Sequence, residues 1–237
     1  MRDDFKKYGI YYTEITNQSK VDGDDEIPVL PCFLDEAPDY LCLYGNPADY
    51  NKTNKTCLCF YEYDYEFDGI NGLFNAIYYK DKKLLDFYKH RFEKVRFVIE
   101  PDYSQVRNIE VIEKKYRMFK ARVVGLWFLT EMNIPVIPNL NYSNINSFEY
   151  MLLGIKEATM IAVSLKGIMG KKKEEDLLMD AIKYTVDNSK VKIFVVFSTG
   201  VIDEKVNQYF EYAVKQGVQF IIPNNGQRLL NQAKLRS

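Results

Sequence analysis

A single histidine, His90, serves the whole chain. That scarcity removes most hydrolytic arrangements built on an imidazole base, and no G-x-S-x-G nucleophile elbow is present to revive them. His90 stands in "DFYKHRFEKV", just ahead of an apolar run, where a surface residue is expected. The cysteines are as sparse: Cys32, Cys42, Cys57 and Cys59 include no C-x2-C pair and have no neighbouring histidine. Cys57 and Cys59 in C-x-C would point to one face of a strand. Buried apolar thiols are therefore expected rather than a zinc site, and no metal ligand is assigned. No stretch approaches the roughly 18 apolar residues of a membrane span. The opening "MRDDFKKYGIYY" is charged where a signal peptide would be apolar, so a cytoplasmic protein without a membrane partner is expected. Net charge is missing too. Thirty-two basic residues against 33 acidic ones leave -1, which disfavours nucleic acid as a partner. A P-loop is absent, since no G-x-x-x-x-G-K-[ST] spacing occurs.

What the chain does contain is apolar runs without alternation: "CLCFYEYDY", "VRFVIE", "IPVIP", "MIAVSL", "KIFVVF" and "VQFIIP". Continuous apolarity suits parallel strands covered on both faces. Between them lie helical patterns. Val206, Tyr209, Phe210, Ala213 and Val214 recur at helical spacing, as do Leu177, Leu178, Ala181, Ile182, Thr185 and Val186. The longest pattern runs from Asn108 to Asn133, with Ile109, Ile112, Tyr116 and Phe119 as its stripe and the sole tryptophan, Trp127, beyond. Strand and helix in alternation predict an α/β protein of repeated βα units around a parallel sheet. Counting "EIPVL" and "LCLYG" gives six to eight strands and a TIM-barrel-like architecture, the alternative being an open doubly wound sheet. Residues 1–25, ending in the acidic "DGDDE", read as an extension or edge element; residues 26–237 read as one α/β domain.

Three apolar runs end in proline followed by short polar side chains, at "VIEPDYS", "VIPNLNYS" and "FIIPNN". Proline at a strand end costs no ladder bond and turns the chain out of the sheet. Parallel architectures bind ligands at the carboxyl ends of their strands. That rule puts Asp64, Asp102, Ser104, Asn139, Asn141, Ser164, Lys166, Ser198, Thr199, Asn224 and Asn225 on one rim. Helix caps and turns use the same residue types and offer the plainer explanation for each Asn and Ser. Asp102 and Lys166 are less easily absorbed as caps. The turns "SLKG" and "FSTG", and the lysines of "GIMGKKKEED", could present amides or cations to an anion. Nineteen tyrosines complete the picture; those in "CFYEYDYEFD" alternate with acids, which argues against base stacking and suits a protein contact.

Taken together, "FVIEPDYSQ", "ARVVGLWFL", "IPVIPNLNYS" and "MIAVSLKG" resemble the family called domain of unknown function 4417, carried by bacteria, phages and other mobile elements. The resemblance covers about residues 57–225 and falls on Pro101, Asp102, Tyr103 and Ser104, on Arg122 and Gly125, on Ile137, Pro138 and Asn139, and on Ser164 and Gly167. The chain departs from it at Asn141 and Tyr142, where the family often has arginine and tryptophan, and at Lys166, where it often has histidine. The resemblance implies a mobile-element setting and lends no activity.

Three functional expectations follow. The first is a strand-end pocket for a small anionic ligand such as a nucleotide, with or without chemistry on it. Asp102 would be its general acid/base or metal-facing carboxylate and Lys166 its catalytic cation. Asp64, Ser104, Arg122, Asn139, Asn141, Ser164, Gly167, Ser198 and Asn224 would bind the ligand. The second is a non-catalytic module that binds a host protein through the tyrosine-rich region. The third is an accessory of nucleic-acid replication. No cofactor is specified by the residues.

Overall fold

Apolar runs with no polar alternation can become strands only where both faces are covered. The computed structural model, which describes residues 5–200 and 203–236, meets that condition. Cys57, Leu58, Cys59, Val98, Ile99, Ile161, Ala162, Phe194, Val195 and Val196 are all fully buried.

In chain order, α1 (Thr13–Thr16) leads into a hairpin of β1 (Val21–Asp22) and β2 (Ile27–Pro28). β3 (Tyr40–Leu43) and β4 (Thr56–Cys59) follow, then α2 (Asp64–Phe67), α3 (Leu73–Tyr79) and α4 (Lys82–Phe92). β5 (Phe97–Ile99), α5 (Val111–Glu131), β6 (Val136–Ile137), α6 (Phe148–Met151) and β7 (Met160–Ser164) form the middle of the chain. α7 (Lys172–Asn188), β8 (Ile193–Phe197), α8 (Asp203–Tyr209), α9 (Glu211–Lys215), β9 (Gln219–Ile221), β10 (Asn224–Asn225) and α10 (Gly226–Arg236) complete it.

The class is α/β, with parallel pairing throughout two sheets ordered β10-β3-β4-β5-β6 and β7-β8-β9. One parallel bridge, Asn139 to Ala162, links β6 to β7. No closed barrel ladder runs round the strands among the described residues. Three sequence expectations need correction. "EIPVL" does not join the parallel set: Ile27–Pro28 pairs antiparallel with Val21–Asp22 as a separate two-stranded sheet. "CLCFYEYDY" yields only three strand residues, Cys57 to Cys59, and Asp64 already opens α2. Finally, Asn224 stands opposite Tyr40, the first residue of β3, instead of on the carboxyl rim.

α5 is the element that most shapes the site. Lys114 and Met118 are buried in its first half, and from Ala121 to Phe128 every residue is buried, as in a helix enclosed all round. The stripe expected further upstream is displaced, since Ile112 is 72% exposed and Tyr116 43%. At Gly125 a Cβ would stand 2.9 Å from Leu30 Cδ2. Gly125→Ala gains helix propensity of about 1 kcal/mol and meets an overpacking cost of about 1–3. A net loss of about 1 kcal/mol is expected, measurable as a lower urea midpoint. No helix among the described residues is long and apolar enough to cross a membrane.

Candidate functional site

A cleft of about 730 Å³ lies over the carboxyl ends of β4, β5, β6 and β7. Each strand hands its chain to a polar segment at that level. After β4 come Tyr61 and Glu62; after β5, Asp102 to Asn108; after β6, Asn139 to Ser143; from the end of β7, Ser164 to Ile168. A fifth segment, the start of α7, closes the cleft through Glu174 and Leu177.

The floor beneath Asp102 is a buried ion pair. Glu100 is 0% exposed and Arg122 1%. Arg122 Nη1 donates to Glu100 Oε1, and its Nε and Nη2 donate to the Leu153 carbonyl at 3.3 and 3.2 Å. The same Glu100 oxygen accepts the Asn139 amide N–H at 2.7 Å, so the pair locks the end of β6 beside the end of β5. Burial raises the Glu100 carboxyl above its ordinary value; Arg122 and the Asn139 amide pull it back.

Above the floor, Asn139 organises the wall. Its side-chain Nδ2 donates to Asp102 Oδ1 at 2.8 Å and to Asn141 Oδ1, while its Oδ1 accepts the Tyr61 hydroxyl at 2.8 Å. Asp102 is crowded by protein, and burial, then Asp64 and Glu100, push its carboxyl up to about 7, against the downward pull of Asn139 and Lys166. A carboxyl in that range exchanges protons at neutral pH. Lys166 reaches across from β7, donating from Nζ to the Tyr61 carbonyl at 2.8 Å, with its cation 5.7 Å from the Tyr63 ring centre. Four buried polar atoms of lining residues have no partner: Gln105 Oε1, Asn141 Nδ2, Tyr142 Oη and Ser143 Oγ. Orphaned buried groups cost about 1–3 kcal/mol each, so this wall of the cleft is destabilised by groups the protein itself does not satisfy.

Of the residues read from the sequence as site candidates, Asp102, Lys166, Ser104, Asn139, Asn141, Ser164 and Gly167 line this cleft. Four others do not. Asp64 holds the segment after β5 from behind, accepting Ser104 Oγ at 2.9 Å and Arg117 Nη1 at 2.5 Å. Arg122 is spent in the floor. Ser198 is 1% exposed, and its carbonyl accepts Asn225 Nδ2 at 2.9 Å, while Asn231 from α10 donates to the Thr199 carbonyl at 2.8 Å. The C-terminal helix thus covers the end of β8 and limits the open rim. Asn224 uses its backbone N–H on Asp39.

The lysine-rich segment is also elsewhere. Lys171, Lys172 and Lys173 are exposed, and Glu175 takes the Gly170 N–H at 2.7 Å at the start of α7. His90 is exposed beside Glu93 at 3.3 Å. The four cysteines are free and buried, and burial pushes the Cys32 and Cys42 thiols up to about 12.

Sequence reasoning missed Tyr61, Glu62, Gln105, Arg107 and Glu174 as cleft residues. Tyr61 and Glu62 were hidden by extending β4 through Tyr65. Arg107 donates to the Ser143 carbonyl at 3.0 Å and to Glu174 at 2.6 Å, joining three segments that only tertiary structure brings together. Near the mouth, Tyr63 and Tyr65 stack with ring centres 5.6 Å apart and are 69% and 74% exposed.

Residues 19–214 match the model of a family described as domain of unknown function (DUF4417). A relative from Mycobacterium phage L5, named Gene 1 protein, is 24% identical over 165 residues, which cover 69% of this chain and 67% of that protein. No solved structure matches the chain.

Proposed function

The chain belongs to the family of domain of unknown function DUF4417, a membership that assigns no activity, and from its cleft we propose a small-molecule site at the carboxyl strand ends. The ligand class is a nucleotide or a similarly sized molecule that joins an anionic group to a hydrogen-bonding ring. One observation carries the reading. Asp102, held near neutral proton affinity, shares a 730 Å³ cleft with four unpartnered buried polar atoms and with Lys166. The volume suits a ligand of that size. Lys166 offsets the ligand's charge, the wall of Asn141 and Tyr142 takes its polar edge, and Asp102 serves as general acid or base. The glutamates at the mouth, Glu62 and Glu174, favour one phosphate over a polyphosphate tail, because Arg107 is already paired with Glu174. In this reading the bridge at Asn139 and the short passage from β9 to β10 are the seams of a barrel-like ring, and the relative from a phage supports a mobile-element setting.

A thermal-shift series with nucleoside monophosphates, ribose 5-phosphate and inorganic phosphate tests it. A ligand at about 100 times its Kd adds roughly 2.7 kcal/mol, a rise of about 5–10 °C for a domain of this size. The shift should appear with a monophosphate and fall sharply in Asp102→Asn. A series with no shift, on protein that melts cooperatively, would sink the proposal.

A second reading has its own observation. Tyr63, Tyr65 and Ile70 are 69%, 74% and 91% exposed, and tyrosines are efficient interface anchors. Binding to a host protein through that face would be lost in a Tyr63→Ser/Tyr65→Ser double variant and kept in Asp102→Asn.

A further inference from the structure

Tyr61 is 2% exposed, and its phenol reaches one side-chain partner, Asn139 Oδ1. An amide can sit in its slot in two orientations related by exchange of O and N. Here the neighbours decide between them. With oxygen toward Tyr61, Asn139 accepts the phenol proton and spends its Nδ2 on Asp102 and Asn141. With the amide reversed, Tyr61 could accept from nitrogen, yet its own O–H would be left buried without an acceptor, at a cost of about 1–3 kcal/mol. The reversed amide would also turn oxygen toward Asp102, an arrangement that only a protonated carboxyl can satisfy. The Tyr61 phenol therefore opposes the orientation that suits protonated Asp102.

From this chain of hydrogen bonds we infer that Tyr61 is a positioning residue that fixes the Asn139 amide and, through it, keeps a proton off Asp102. The inference rests on the reading of Asp102 as the proton-exchanging group of the cleft. It also leaves Asn141 Nδ2 as the amide donor without a partner. The other ionisable groups facing Asp102 are Asp64 from α2, Glu100 from its own strand end, Lys166 after β7 and Tyr142 after β6. None of them needs the Tyr61 hydroxyl. Asp64 is held by Arg117 and Ser104, and Glu100 by Arg122. Lys166 uses the Tyr61 backbone carbonyl, which Tyr61→Phe retains. The hydroxyl can thus be removed while the charges around Asp102 stay in place.

The test is a pH titration of the Asp102 carboxyl by carbon NMR in full-length, ligand-free protein, comparing the parent with Tyr61→Phe. The resonance is assigned by its loss in Asp102→Asn. The Tyr61→Phe midpoint should move up by about one pH unit, a tenfold rise in proton affinity, as expected for loss of a directed hydrogen bond to a charged group. Tyr63→Phe, altered on an exposed ring, should leave the midpoint where it is. If Tyr61→Phe fails to melt cooperatively, Asn139→Ala takes its place, because it deletes the same donor to Asp102 and should raise the midpoint at least as far. An unchanged midpoint in the variant that folds, even with a lowered melting temperature, overturns the inference and reduces Tyr61 to a packing residue. The titration needs no ligand. A moved midpoint without any nucleotide binding would keep the positioning role and sink the nucleotide reading, and the converse result would do the reverse.

Discussion

Arg122→Ala should cost the fold about 3–5 kcal/mol, the range for breaking a buried ion pair by removing one partner. For a domain of this size that is a fall of roughly 6–20 °C in melting temperature. The loss is large because Glu100 stays behind at 0% exposure, with Oε2 already unpartnered and Oε1 then reduced to the Asn139 amide. The Leu153 carbonyl loses two donors at the same time. The pH dependence has a definite sign. Without Arg122 the folded-state affinity of Glu100 for a proton rises further above its unfolded value. Such a group's stability is fully present below the unfolded pKa and is lost as pH rises through the folded one. The deficit of Arg122→Ala against the parent should therefore be smaller at pH 5 than at pH 8, in paired thermal melts. An equal deficit at both would mean that Glu100 is not the group left stranded. A double change of Glu100 and Arg122 to methionine should recover much of the loss, since replacing a buried pair with apolar groups is often close to neutral.

Asp102→Asn should do the opposite and stabilise the protein at alkaline pH. Burial, Asp64 and Glu100 raise this carboxyl from 3.8 to about 7. A raised folded-state pKa means that folding favours the protonated form. Stability from this group is present below about pH 4 and is lost as pH climbs to 7. At about 1.4 kcal/mol per pH unit the whole shift corresponds to some 4 kcal/mol, and access of water to the cleft should reduce that to about 2. Asparagine keeps the acceptor for Asn139 Nδ2 and cannot ionise. The variant and the parent should melt together near pH 4 and separate as pH rises, with the variant higher by roughly 4–8 °C at pH 8. If the parent remained the more stable at pH 8, the repulsion from Asp64 and Glu100 would be smaller than the pull of Lys166 and Asn139. The same substitution is expected to reduce the nucleotide shift sharply. A gain in stability together with a loss of binding is the usual mark of a group retained for function.

Much of this was legible in the chain before any coordinates. The apolar runs without alternation specify parallel strands with both faces buried, because any other placement would leave Cys57–Cys59 or Phe194–Val196 against water. The prolines after β5 and β6 mark where the chain must leave the sheet, so Asp102 and Asn139 could be placed at strand ends from local rules alone. Those rules act over a few residues, which is why they are readable.

What they cannot carry is partnership across the chain. In the sequence Arg122 and Asp102 both stand as candidates, although a mid-helix arginine more often belongs to a surface or a salt bridge. Only the fold turns Arg122 onto Glu100, 22 residues away, and consumes it in the floor of the cleft. Ser198 and Ser164 both stand at strand ends, yet Asn225 of β10 engages the Ser198 carbonyl and Asn231 of α10 that of Thr199, while Ser164 stays at the opening. Tyr61 gave no signal, for its role depends on an amide 78 residues further on. The sequence by itself determined the class of fold and which strand ends could bear a site. Tertiary structure decided which polar groups were satisfied by the protein and which were left without a partner. Hydrogen-bond satisfaction is a property of neighbours in space, and strand-forming periodicity is a property of neighbours in the chain.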